Sequence, residues 1–467
     1  MTSLERAAAR GSLWDATIDE DLKRRPGLAG AMNVDVCIVG GGFTGLWTAR
    51  ELLVRDPSLK VLVLEAHHCG FGASGRNGGW ASALFATSDR LLEREHGRDA
   101  PRSMRLAMQE ALSTLLTALD DDGIDADQQQ GGTLTLARTK PQLARAIADV
   151  AESKNCTGND DDLVLLSQAE AAARCGARDV LGGTWTPHCA ALHPLKLVRG
   201  LARAVEARGG RIAEGTTALA IEPGTSTMKP SVRTAQGKVT ATVVVRATEA
   251  WTSQMESTKR AIVPLYSLML ATQPLDEATW ASIGLSDRAT VADYRHLIIY
   301  GQRTADGRLA FGGRGAPYHF GSRIDASFDR DLSIFKALHA ALVELFPVLE
   351  PVNIDFAWGG PLGVARDWSS AVTFDQRTGL AAAGGYVGDG VTTTHLAGKT
   401  LADLIVGNDS PLTRLPWVGH VSPRWEPEPL RWLGVNAGLA VAAFGDRSER
   451  LTGKPSRLAN TLHRLLG

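Results

Sequence analysis

Residues 34–65 read VDVCIVGGGFTGLWTARELLVRDPSLKVLVLE. An apolar run ends at Val39, and Gly40, Gly42 and Gly45 follow in G-x-G-x-x-G spacing. Leu46, Ala49, Leu52 and Leu53 then recur at helical intervals until Asp56-Pro57 stops them. A second apolar run, KVLVLEA, reaches Glu65, 20 residues past Gly45. Strand, glycine turn, helix and second strand in this order constrain the chain to a βαβ unit built around a dinucleotide. Gly40 permits the tight turn, Gly42 lets a pyrophosphate approach the backbone, and Gly45 lets helix and strand pack closely. The helix N-terminus, with Phe43 and Thr44, supplies free N–H groups and about half a positive charge. Glu65, followed by Ala66, accepts ribose hydroxyls and repels a 2′-phosphate, which disfavours NADP.

The next stretch, GFGASGRNGG at 70–79, has little to put into a core. It starts where the Glu65 strand ends, at the same edge of the sheet. Ala73 and Ser74 lie against pyrophosphate or ribitol oxygens without crowding. Arg76 pairs with a phosphate, Asn77 stands beside it, and Gly72 and Gly78 let a flat ring approach. A nicotinamide enzyme needs no second loop of this kind, whereas the longer dinucleotide FAD does.

Together with GGYVGDGV at 384–391, these motifs resemble the FAD-dependent D-amino-acid oxidase superfamily over about residues 33–405. The GASGRNGG form is most similar to its γ-glutamylputrescine oxidoreductase branch. The resemblance implies an α/β chain with a discontinuous Rossmann-type FAD-binding domain and a second, antiparallel-sheet α+β substrate domain, glutathione-reductase-like in its flavin half. It also implies that a helix from about Val391, carrying Thr392 and Thr393, points its N-terminus at the flavin's pyrimidine edge. A small-residue strand ends before it at Gly384-Gly385, and the N–H groups near Gly388, Gly390 and Val391 would then stabilise charge on the reduced ring. By the same resemblance Ala218 touches the adenine through its backbone, and the strand ending Ala247-Thr248-Glu249-Ala250-Trp251 ends near the dinucleotide.

The expected boundaries are a preamble at 1–29, an FAD-binding domain at 30–90, 193–258 and 356–406, a substrate domain at 91–192 and 259–355, and a helical extension at 407–467. HPLKLVRGLARAVEARGG predicts a helix from His193-Pro194 to Gly209-Gly210. RHLIIYGQRTADGRLAFGGRG predicts a hairpin turning at Asp306-Gly307. YSLMLATQPL reads as a strand and 327–346 as a helix.

Amino-acid oxidases of this superfamily bind a carboxylate through an Arg after a Trp-x-Gly strand end, where this chain aligns Leu362. Glycine-oxidase-like members carry a further Arg where this chain has Gly388. A buried carboxylate without a cation is costly. The expected substrate is therefore an amine whose charge lies far from the ring, although Arg366 or Arg314 would restore a carboxylate site. The chemistry is hydride transfer from a neutral amine to flavin N5, imine hydrolysis to an aldehyde, and reoxidation by O2 or another acceptor. Tyr266, Tyr300, Trp358 and Tyr386 are the expected pocket walls. The alternatives are an amino-acid or N-methyl-amino-acid oxidase or dehydrogenase, and a non-catalytic flavin-binding module.

His67, His68 and Cys69 raise a rival expectation of covalent flavin. Relatives that attach it use a Cys in the later half of the chain, and none follows Cys189. Non-covalent FAD is expected. His188, Cys189 and His193 form an incomplete metal set, so no metal is expected. The net charge of −1, from 50 basic and 51 acidic side chains, points to no nucleic acid. Five cysteines without a CxxC and a start without an apolar segment are read as cytoplasmic. The tail LRWLGVNAGLAVAAF, with Gly434 and Gly438, is expected to pack as a helix on the protein rather than on a membrane.

Overall fold

The computed structural model describes residues 2–20 and 23–466, the last four by their backbone alone. The described residues form two eight-stranded sheets and a short two-stranded one. The first runs in the order Ala371–Asp375, Leu380–Gly384, Lys238–Arg246, Met32–Val39, Val61–Leu64, Arg211–Ala213. Its strands from Leu380–Gly384 to Arg211–Ala213 are parallel. An antiparallel flap, Ser231–Thr234 and Ala218–Glu222, hangs from Lys238–Arg246. Strands buried on both faces read as unbroken apolar runs, which is why the sequence shows no alternation here. Val36, Ile38, Val61 and Val63 point into the main core with helices Phe43–Arg55, Ala100–Asp121, Pro194–Ala207 and Gly390–Val406. Cys37, Val39, Leu62 and Leu64 point the other way, towards the flap.

The second sheet runs Ile354–Ala365, Ile262–Thr272, Leu309–Gly313, Ile299–Arg303, Thr290–Asp293, Thr133–Ala137, Gly182–Thr186, Val164–Leu166. Only Thr290–Asp293 and Thr133–Ala137 pair in parallel. On Ile262–Thr272 the period of two is explicit. Tyr266, Leu268 and Leu270 enter a second core with the helix Leu332–Leu345, while Met269 and Ala271 join the main core. The hairpin of Ile299–Arg303 with Leu309–Gly313 turns through Gly307 at φ +78°.

One expected boundary falls elsewhere. The piece expected in the flavin domain from 356 begins in the second sheet. Ile354–Ala365 pairs with Ile262–Thr272 along its length, and the chain enters the first sheet only at Ala371. The preamble is built into the fold: helices Ser3–Arg10 and Leu13–Ala16 bury Leu13 and Trp14 in the main core. The tail forms helices Leu430–Thr452 and Arg457–Leu466, with Gly438 against Leu462. Among the described residues no helix is long and apolar enough to cross a membrane.

Candidate cofactor and substrate site

The first glycine turn is closed by contact. Gly40 has φ +115°, and a Cβ there would stand 2.3 Å from the Ala247 carbonyl. Ala247 N–H donates to Val39 O at 2.8 Å, so the ATEAW segment runs beside the turn. Gly42 begins the helix Phe43–Arg55 without a side-chain cap. Ser74 Oγ accepts from Phe43 N at 2.9 Å, joining this helix end to the GFGASGRNGG loop. Glu65 accepts from Gly41 N and His67 N, each at 2.8 Å, and burial raises its carboxyl. Thr216 N–H donates to Glu65 O at 2.8 Å, which brings the strand starting at Ala218 to the Glu65–Ala66 edge.

The loop's one amide is spent on the loop itself. Asn77 Nδ2 donates to Ala73 O (3.1 Å) and Ser74 O (2.9 Å), and its Oδ1 accepts from Gly79 N (2.8 Å). Three distant side chains grip the loop carbonyls. Trp14 Nε1 donates to Asn77 O (2.8 Å), Trp358 Nε1 to Arg76 O (2.9 Å) and Gln302 Nε2 to Gly78 O (2.6 Å). Arg76, over the Phe71 ring, pairs through Nη1 with Asp329 at 2.8 Å, so part of the charge expected to meet a phosphate is met within the fold. Phe71 stacks on His67 at 3.8 Å with Trp251 beside it, an aromatic edge next to Gly72 and Thr248.

The return segment is fastened by Glu249, which sequence reasoning passed over. Its carboxylate accepts from Gly363 N (3.2 Å) and Gly385 N (3.1 Å), and burial pushes its pKa up to about 7. A lone acid closing an apolar strand was the available signal. The helix Gly390–Val406 starts after Asp389 with no side-chain cap bond, so its first N–H groups at Gly390, Val391, Thr392 and Thr393 face outward from the helix end. Thr392 Oγ1 is buried with no hydrogen-bond partner. Two helix N-termini with no cap from their own N-cap residue, a carboxylate at the second strand's end and an orphaned buried hydroxyl together fit a flavin dinucleotide.

A cavity of about 550 Å³ opens at Ala73, Gly78, Leu362, Gly388 and Val391. It extends across the second sheet, over Ser267 and Met269 on Ile262–Thr272, then over Tyr300, Ala292, Thr135 and Thr184 on the successive strands from Ile299–Arg303 to Gly182–Thr186. Helices Ala100–Asp121 and Lys140–Thr157 roof its far end with Arg105 and Asp149. Of the four expected wall aromatics only Tyr300 lines it, with its hydroxyl 2.8 Å from Ser267 Oγ. Tyr266 is on the opposite face of its strand, accepting from Asp325 N at 3.1 Å. Trp358 stands edge-on to Trp14 behind the loop. Tyr386 is buried, its hydroxyl 3.0 Å from Thr44 Oγ1, so it braces the return against the first helix. Strand alternation and loop packing, invisible in composition, turn these three rings away.

Arg366 is paired with Glu426 at 2.9 Å, outside the cavity. Arg314 lines the cavity beside Gly388 and donates to Val387 O. The suspected metal set disperses: His188 pairs with Asp162 at 3.0 Å, Cys189 is buried in a strand with its thiol pushed up to about 11, and His193 caps a helix. Cys69 is likewise buried, and dehydration together with Glu214 pushes its thiol up.

The chain is 34% identical over 383 residues to the gamma-glutamylputrescine oxidoreductase of Escherichia coli strain K12, covering 81% of this chain and 85% of that protein. The crystal structure of glycine oxidase from Geobacillus kaustophilus superposes with a TM-score of 0.69 at 21% identity, over 84% of this chain and all of that one. L-proline dehydrogenase from P. horikoshii gives 0.66 at 21% identity, over 82% and 96%. The family model described as FAD dependent oxidoreductase matches residues 35–404, and the chain belongs to this family, DAO.

Proposed function

We propose that this chain oxidises the C–N bond of an amine at the end of an elongated polar molecule of the γ-glutamylputrescine kind. The observation that carries the reading is the cavity, which leaves the flavin loop and continues across the second sheet to a polar far end. A glycine-sized substrate needs none of that length. The similarity to the Escherichia coli protein, by its name a gamma-glutamylputrescine oxidoreductase, supports the same class.

The Gly40–Gly45 turn, Glu65, Ala73 and Ser74, and the start of the helix Gly390–Val406 would hold FAD, which when bound supplies a two-electron acceptor. The uncapped N–H groups at that helix start favour negative charge where the ring would gain it. Tyr300 and Leu362 wall the cavity mouth and exclude water from the reacting carbon. Asp389 also faces the cavity, with its carboxyl raised by burial against the opposing pull of Arg314. As a carboxylate it would take the proton that an ammonium must lose before its α-hydrogen leaves as hydride. Water then hydrolyses the imine to an aldehyde and ammonia, and O2 as acceptor is reduced to hydrogen peroxide. All five cysteines are free thiols, which fits a reducing, cytoplasmic setting.

The test is the visible spectrum of the purified holoprotein with γ-glutamylputrescine under anaerobic conditions. Bleaching of the flavin band is expected. A band that persists, while glycine, sarcosine or a D-amino acid bleaches it, transfers the assignment to the amino-acid reading. Arg314, a cation in the cavity wall, is the observation that favours that second reading.

A further inference from the structure

The far end of the cavity holds charge that C–N oxidation itself does not require. Most of it is already committed. Arg145 donates to Tyr294 O (2.7 Å) and Glu449 (2.8 Å), Arg295 to Asp293 (2.7 Å), and Asp162 accepts from His188 (3.0 Å) and Asn159 (2.8 Å). Two side chains keep capacity. Asp149, on the helix Lys140–Thr157, makes no ion pair among the described residues, and the Tyr294 hydroxyl is its partner. That hydroxyl lies on the cavity floor, 2.9 Å from Thr184 Oγ1, and it pulls the Asp149 carboxyl down against the burial that raises it. Arg105, on the facing helix Ala100–Asp121, turns Nε (3.0 Å) and Nη2 (2.6 Å) onto one oxygen of Asp89, leaving its Nη1 edge for another anion.

We propose that Asp149 and Arg105 form a second subsite that binds an α-amino-acid head group, an ammonium beside a carboxylate, at the end of the substrate remote from the bond being oxidised. Asp149 takes the ammonium and Arg105 the carboxylate, each through a charge-assisted hydrogen bond. Length agrees. From Tyr300 to Thr184 the floor crosses three strand spacings, about 14 Å in all. An extended chain advances about 3.4 Å per three bonds, so a linker of on the order of ten bonds reaches from the flavin end to this pair. Dehydration pushes the Asp149 carboxyl up to about 6, against the pull of the Tyr294 hydroxyl and of Arg105 and Arg145. As a substrate subsite the pair rests on the amine-oxidation reading.

The experiment is anaerobic calorimetric titration of the holoprotein with γ-glutamylbutylamide, which has the head and the chain but no terminal amine to oxidise. Binding to the wild type is expected. Asp149→Asn and Arg105→Gln should each weaken it about ten- to hundred-fold, and Tyr294→Phe less. N-acetylation of the ligand's α-amino group should weaken binding to the wild type and erase the difference between wild type and D149N. No binding to the wild type, equal affinity in D149N, or an acetylated ligand that binds as tightly as the free one overturns the subsite. The acetylation arm uses wild-type protein alone, so it decides even if a variant folds poorly. Asp149-dependent binding without flavin bleaching by γ-glutamylputrescine removes the oxidation reading and keeps the subsite. Bleaching with Asp149-independent binding does the reverse.

Discussion

Arg76 and Asp329 make a half-buried pair in which one carboxylate oxygen, Asp329 Oδ1, has no hydrogen-bond partner. Burial already pushes Asp329 up to about 6, with Arg76 opposing. Removing the cation leaves that acid uncompensated. Arg76→Ala is therefore expected to lower stability by about 2–3 kcal/mol, and Asp329→Asn in the same chain to recover most of it. FAD affinity should change less than about threefold, since the guanidinium serves a carboxylate. Denaturant melts and FAD titration of the apoprotein check both. A tenfold loss of FAD affinity at unchanged stability would restore the phosphate role. The roles of Gly40 and Gly45 were legible because each follows from the local backbone, whereas Arg76 meets a partner 253 residues away. The bonds of Asn77 were not legible for a different reason, since its side chain closes on carbonyls of its own loop.

At the scale of elements, the strand–helix–strand unit, the return helix and the Asp306-Gly307 hairpin were readable from period and turn chemistry. Strand partnership was not, and Ile354–Ala365 joined the sheet that its pattern alone cannot name. The helix Leu13–Ala16 shows what a short segment contributes. Trp14→Phe keeps the buried ring and deletes the bond to Asn77 O, which should cost about 1 kcal/mol and speed flavin loss on dialysis. Next to it, His193 caps the helix Pro194–Ala207 by accepting from Lys196 N at 3.2 Å, and its Nε2 lies 3.1 Å from Thr17 Oγ1. Burial lowers its pKa from the ordinary 6.5 to about 4. The unfolded chain therefore binds the extra proton, so this stability is full above pH 6.5 and is lost as pH falls towards 4. His193→Asn retains a capping acceptor without titrating. The wild-type advantage over it should shrink by about 1.4 kcal/mol between pH 7.5 and 5.5 in paired denaturant melts. A constant difference across that range would show that His193 is not held neutral.

Across the whole molecule the proposed FAD and substrate sites draw on every layer. The first sheet gives the Gly40 turn and Glu65, the second sheet gives Leu362 and Tyr300, and the return helix supplies its N-terminus. A ligand spanning these parts binds only the folded chain, so it stabilises by RT ln(1 + [L]/Kd), about 4 kcal/mol at a thousandfold excess over Kd. For a chain of 467 residues the unfolding entropy is about 1 kcal/mol per kelvin, so the apoprotein's Tm should rise by about 4 °C on such loading. Gly42→Val supplies the control. A Cβ at Gly42 would already lie 2.8 Å from Ser74 Oγ, and valine's methyl groups would extend into the place of the pyrophosphate. Its Tm should be indifferent to FAD while its circular dichroism stays that of the parent. A wild-type Tm that does not move with FAD, or a variant that retains flavin in full, would separate the glycine turn from cofactor binding. The combination expected here makes the turn the point where one sequence motif controls the stability of both sheets.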